Sequence, residues 1–481
     1  MAPHFANGIP AHLLMWQRVR EYAVPPSMIE TATARRAVGD WAGACAAARI
    51  DVDLDLRAVR DRHGTDLVTH LRADLRRLAP DLLRWHMPRI APDGRLRPGL
   101  TLSLARYRSS GAAPLQLVVR TPPAWADAGQ RMSLALWEGP GNGAPGRPAH
   151  PRSHPHPHPD RRFRLDLHRH LWDSGRSGEL ARRCGVPSGT PPDRPADPNS
   201  PWARARWASE AEVLLRAEGR SRGAFTVRRG ARSRTVLELV APDDSHAPTF
   251  RPLREALPPQ EVAALPVLPE AAARVLPDLE LLRAGLVATG RLHPLVAAAL
   301  AVSGSDPVAG PAPEPGDPHR VECRGEVHRI ALRDGVLTAV DHDPAQLRRE
   351  ELLVALGGPA LPCLRAIDAV HRSPEALPAV RERLGHGDVV GALAVVEGLL
   401  GPGAVLRDGP LRDELESAAA RRIDHGLFRS GLAAGHPGAG GDAPGVGHAE
   451  AGHRPRIDRR TPPVLRRKLS SRSRPRTGLV C

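Results

Sequence analysis

All eight tryptophans of this 481-residue chain fall between Trp16 and Trp207. Aromatic residues are only 3% of the sequence, so these rings are the bulkiest packing material it has. The first half can therefore build a core around large side chains. The second half must close its core with leucine, valine and alanine, mainly on helices. The length suggests roughly two to four domains, and a hydrophobic content of 41% is enough to bury real cores.

The apolar pattern changes period along the chain, which predicts an α+β protein. Over residues 1–92, Leu67, Leu71, Leu75, Leu78 and Leu82 recur at three- and four-residue steps, the spacing of one helix face. Thr65 is placed to cap that helix, and Pro80 to restart it. Arg72, Arg76, Arg77 and Arg84 fall on other faces and read as solvated charge. Over 98–240 the period becomes two. Leu100, Leu102 and Leu104 alternate with small or polar residues, and similar runs follow at Leu115–Arg120, Arg131–Glu138 and Phe163–Leu167. A hairpin is expected from Ala224–Arg229 and Ser233–Val240. Before it, the Ser209–Glu212 capping box and Gly219 bracket an inserted helix. The stretches 139–159 and 185–201 are Pro/Gly/Ser-rich and read as disordered loops or linkers.

The region 251–430 reads as mainly helical. Short helices are expected between Pro258, Pro266, Pro269, Pro277 and Pro294, then a hairpin at 321–339 around Asp334-Gly335. Helical periodicity follows, marked by Leu352, Leu353 and Leu356 and later by Val389, Leu393, Val396 and Leu400. Residues 431–481 lack an apolar face and are expected to be a disordered basic tail.

Charge is a weak guide here. Lys468 is the only lysine among 68 basic residues, beside 51 prolines and 45 glycines, the signature of a G+C-rich coding sequence rather than of a selected basic surface. The net charge of +15 is discounted accordingly. The lone lysine also excludes a Walker A loop, Lys Schiff-base chemistry and the S-x-x-K pair. Gly141–Gly146 matches G-x-G-x-x-G literally, but Pro-His sequence follows where a phosphate-binding helix is needed. Asp51, Asp53 and Asp55 lack the later glycine and glutamate of a calcium loop and read as a solvated edge or the start of a helix.

Cys45, Cys184, Cys323, Cys363 and Cys481 are too scattered for a disulfide framework or a cysteine zinc site. Ala11–Trp16 is too short for a signal-peptide core, and Pro294–Gly304 too short to span a bilayer. A cytoplasmic protein without a membrane segment is expected. His154, His156 and His158 alternate with proline; beyond them His168 and His170, with Asp166, form the one local candidate for a metal site. Arg466, Arg467, Lys468, Arg472, Arg474 and Arg476 lie in a tail of ten basic and three acidic residues, the candidate site for unselective polyanion binding.

One pattern recurs. Val38–Arg49 aligns with His386–Glu397, sharing Gly-Asp-x-x-Gly-Ala-x-Ala, with Asp40 and Asp388 placed to cap a helix. The turn of a helical hairpin is expected at each. No cofactor is called for. The functional expectation is a non-catalytic scaffold with an unidentified protein partner, set against an enzyme using His168, His170 and Asp166, or polyanion binding by the tail.

Overall fold

The computed structural model describes residues 9–107, 114–139, 158–184, 200–230, 233–240, 247–254, 256–300, 320–323, 326–333, 336–339, 342–372, 377–400, 405–430 and 432. Helices flank central sheets, as an α+β chain requires. Two compact units emerge. Unit 1 holds Met1–Asp127, Arg131–Ser305 and the chain from Gly426; unit 2 holds Ala128–Gln130 and Asp306–His425.

Unit 1 opens with six helices: α1 (Ala11–Arg18), α2 (Pro26–Ala37), α3 (Trp41–Ala47), α4 (Leu56–His63), α5 (Thr65–Arg77) and α6 (Pro80–Trp85). Leu71, Leu75 and Leu82 are fully buried, as their spacing predicts, and each such leucine contributes about 1.5–3 kcal/mol. Proline does start α6. Thr65 is not the cap of α5, because the helix already begins there and Gly64 precedes it with a φ of 86°. Asp55 accepts the Arg57 and Ala58 amides and so starts α4. Arg84 departs most from expectation. It is fully buried, with Nε donating to Ala23 O (3.0 Å) and Nη1 to Ala48 O (3.4 Å), so it organises the helices instead of meeting solvent.

The strand β1 (Ile50–Asp53) was hidden in this helical stretch. It pairs parallel with β6 (Met132–Trp137), closing a sheet of order β1-β6-β5-β4 with β4 (Thr101–Tyr107) and β5 (Leu115–Arg120). A small hairpin, β2 (Arg89–Ile90) and β3 (Arg95–Leu96), precedes that sheet. Residues Phe163–Leu167 do not form the expected strand. Only Arg164 bridges to Ser103; Leu165–Leu167 and Arg169–Leu171 wind into 3-10 turns, because Trp172 is driven fully inside and its Nε1 donates back to Leu165 O at 3.0 Å.

After α7 (Glu179–Cys184), α8 (Trp207–Ala217) packs on β7 (Gly223–Arg228), β8 (Arg234–Val240) and β9 (Thr249–Pro252) around Trp207 and Phe225. The expected hairpin is β7–β8. Ser209 lies inside the first turn of α8 and donates to Arg206 O, so the capping box does not form, whereas Gly219 ends the helix with a φ of 73°. Proline starts or precedes α9 (Pro259–Ala264), α10 (Glu270–Ala273), α11 (Pro277–Arg283) and α12 (Pro294–Ala299), as the punctuation predicts.

Unit 2 has a three-stranded sheet, β10 (Arg320–Cys323), β11 (Glu326–Arg333) and β12 (Val336–Ala339). Around it lie α13 (Pro344–Ala355), α14 (Pro362–Arg372), α15 (Leu377–Gly385), α16 (Val389–Leu400) and the part of α17 (Pro410–Ser430) up to His425. Arg333 pairs with Val336 across the expected hairpin, whose turn residues Asp334 and Gly335 lie outside the described residues. Val396 and Leu400 are buried, but Leu352, Leu353 and Leu356 are exposed, so that stripe of α13 does not reach the core.

The recurrent Gly-Asp motif forms the same turn twice, at α2–α3 and at α15–α16. Asp40 Oδ1 accepts the Gly43 amide at 2.8 Å, and Asp388 Oδ1 accepts that of Gly391 at 3.3 Å. Arg35 and Arg383, five residues earlier, hold the second carboxylate oxygens at 3.2 and 2.8 Å. A Cβ on Gly43 or Gly391 would stand 2.1 or 2.2 Å from that oxygen, so the capping carboxylate itself requires the second glycine.

Candidate functional site

Unit 1 holds a partly open cavity of about 390 Å³. Met15 and Trp16 of α1 line one side, and Phe163, Leu165 and Leu171 of the turn segment another. The wall is completed by the chain after α6 (His86 to Ala91) and by the run from Glu270 to Glu280. The wall mixes apolar side chains with histidines, arginines and glutamates, and apolar surface around placed polar groups is the usual make-up of a small-molecule pocket.

Burial sets the electrostatics. His86 accepts nothing at Nδ1, which lies 3.1 and 3.2 Å from the carbonyls of Leu82 and Leu171 and must carry a proton to meet them. Its Nε2 is 3.7 Å from Asp278 Oδ2 and makes no hydrogen bond among the described residues. Asp278 is buried, which opposes its charge. His86, the Trp85 indole N–H at 2.8 Å and Arg20 outweigh that and hold its carboxyl below the ordinary range.

Arg89 is 8% exposed. It donates from Nη1 to Gly94 O (3.2 Å) and from Nη2 to Arg84 O, and its Nε has no partner among the described residues. No described carboxylate pairs with it, and burial alone pushes its pKa down to about 9. Arg97, half-buried, sets its guanidinium 6.0 Å from the Phe163 ring. Two other cations of the wall are balanced. Arg164 pairs with Asp166 and Glu218 at 2.8 and 2.7 Å, and Arg274 stands 3.5 Å from Glu270.

Glu280 lies 3.7 Å from His12. Burial pushes its pKa up to about 7, against the pull of Arg274 and Arg283, while burial and Arg274 lower that of His12. Near neutral pH the carboxyl can thus give or accept a proton. Among the described lining residues no serine, threonine, cysteine or lysine supplies a nucleophile.

The residues singled out from sequence lie elsewhere. His168 and His170 do come together, with ring centroids 5.9 Å apart. Asp166 does not join them; Arg164 and Arg106 engage its carboxylate. His168 Nε2 is 3.1 Å from Glu210, which Arg183 also grips, and burial, opposed and outweighed by these two partners, leaves the Glu210 pKa at about 2. His170 Nε2 lies 3.5 Å from Cys184 Sγ, and Arg206 Nη1 donates to the same sulfur at 2.7 Å. Burial lowers the His170 pKa and raises that of Cys184, which keeps both neutral. Among the described residues no group of three His, Cys, Asp or Glu side chains could hold a metal ion.

His154 and His156, Gly141–Gly146 and the tail cluster Arg466, Arg467, Lys468, Arg472, Arg474 and Arg476 lie outside the described residues. Among those described, no helix is long and apolar enough to cross a membrane. Sequence reasoning did not find His12, His86, Arg89 or Glu280. They come from segments up to some 270 residues apart and share no local motif. Comparison with protein families, with curated proteins and with solved structures finds no match.

Proposed function

We propose that the protein is a non-catalytic binding protein whose unit 1 holds a small apolar molecule. The cavity carries this reading: it has the size of a ligand site, apolar side chains in its wall, and no serine, threonine, cysteine or lysine nucleophile among the described lining residues. The neutral dye N-phenyl-1-naphthylamine tests it. One dye per chain is expected to bind with enhanced fluorescence, and Ala271→Trp, which fills the cavity from its wall, is expected to abolish binding. Dye binding that survives the filled cavity would refute the reading.

A protein-interaction role is the second reading, favoured by Leu352, Leu353 and Leu356 on α13 of unit 2, exposed by 64, 46 and 86%. A single partner retained by the wild-type protein and lost by Leu352→Glu with Leu356→Glu supports it; retention by both argues against it. The ten basic residues beyond 430 support weak polyanion binding as a separate property of the tail.

A further inference from the structure

We propose that the ligand of the unit 1 cavity is an amphipathic carboxylate, its apolar body among Trp16, Phe163 and Leu171 and its carboxylate on Arg89. The inference rests on the cavity being a ligand site and adds the charge of what it takes. Arg89 is more than nine-tenths buried in the cavity wall, yet only backbone carbonyls hold it. A carbonyl can orient a guanidinium but cannot neutralise it, and a buried charge without a counter-charge is costly. With its pKa at about 9, Arg89 keeps its proton at neutral pH. Arg97 adds a second positive charge to the wall with no described carboxylate on it.

The acidic residues of the wall do not reverse this sign. Glu270 faces Arg274 at 3.5 Å, and Glu280 is half-protonated near pH 7. Asp278 is occupied by Trp85 and lies behind His86. His86 is almost fully buried, and its Nε2 faces Asp278 Oδ2 at 3.7 Å, so that carboxylate is turned toward the imidazole and not toward the cavity. A carboxylate suits Arg89 because the planar fork of a guanidinium matches two carboxylate oxygens. Phosphate alone would satisfy the charge but leave the apolar surface of Trp16, Phe163 and Leu171 uncovered.

Isothermal titration of the full-length protein with octanoate, 1-octanol and inorganic phosphate separates these terms. Octanoate is expected to bind once per chain, at least about tenfold more tightly than octanol, or about 1.4 kcal/mol. Phosphate is expected not to bind in the cavity. Arg89→Gln should remove the tenfold preference and leave octanol affinity within about twofold. If Arg89→Gln does not fold, Arg97→Gln, at a half-buried position, is expected to weaken octanoate alone by about threefold. Equal binding of octanol and octanoate by the wild-type protein would overturn the anionic assignment while leaving the ligand site intact. Binding of neither would overturn the ligand site itself. Phosphate binding as tight as octanoate would show an anion site that makes no use of the apolar wall.

Discussion

Units 1 and 2 contain the same Gly-Asp helical turn but surround it with different cores. Unit 1 buries tryptophans together with charges in matched groups. Asp74 accepts from Arg169, Arg77 and Tyr107; His293 pairs with Asp81 at 2.8 Å; Glu210 lies between His168 and Arg183. Around α15–α16, unit 2 packs Leu377, Val380, Leu384, Val396 and Leu400. The turn recurs because one carboxylate, one arginine and a glycine solve the geometry locally, whatever surrounds them. What unit 1 has in addition is a cavity whose wall includes a buried charge with no carboxylate on it among the described residues, and that is where a specific role is to be sought.

Removing a buried charge from a matched group tests this contrast most severely. Asp74→Ala leaves Arg169 and the Tyr107 hydroxyl without their shared acceptor and is expected to cost unit 1 about 3–5 kcal/mol. Tryptophan fluorescence during urea unfolding reads it selectively, since all eight tryptophans belong to unit 1. In unit 2 the matching change is apolar. Leu384→Ala is expected to cost about 2–5 kcal/mol, seen in the far-ultraviolet circular dichroism transition while the tryptophan transition stays in place. A tryptophan transition shifted equally by both variants would dissolve the distinction between the units.

The shared turn predicts nearly equal, smaller effects. Asp40→Ala and Asp388→Ala are each expected to lower the stability of their own unit by about 0.5–2 kcal/mol, measured by the same two signals. A large difference between them would mean that the surroundings, not the cap, hold the turn.

The smallest effect is one of pH. Glu280 has a folded pKa of about 7, above the ~4.3 of an unfolded glutamate. As pH rises from the unfolded to the folded value, the unfolded chain ionises first, so stability declines through that window. Glu280→Gln should flatten this decline by no more than about 1 kcal/mol, once screening by solvent is allowed for. Glu210, with its pKa depressed to about 2, acts in the opposite sense: its contribution is complete above the unfolded value and is lost only as pH falls toward 2.

Much of the fold was legible because it is periodic. The leucines of α5, the alternation of β4 and β5, the proline starts of α6, α11 and α12, and the Gly-Asp turns all follow from local rules. The misreadings share another cause. The charge of Arg84 points to solvent in sequence, whereas the carbonyls of Ala23 and Ala48 that receive it come together only in the fold. Phe163–Leu167 alternates like a strand, but burying Trp172 bends it into turns. The candidate site was least legible. Met15, His86, Phe163 and Glu280 meet only through tertiary packing, whereas His168 and His170 stood out for being close in sequence.

A crystal structure of the protein soaked with octanoate tests the central claim most directly. The account predicts one ordered ligand in the unit 1 cavity, its chain beside Phe163 and Leu171 and its carboxylate about 3 Å from Arg89, within hydrogen-bond reach. Octanoate ordered only on the outer surface, with the cavity wall collapsed onto Arg89, would contradict it.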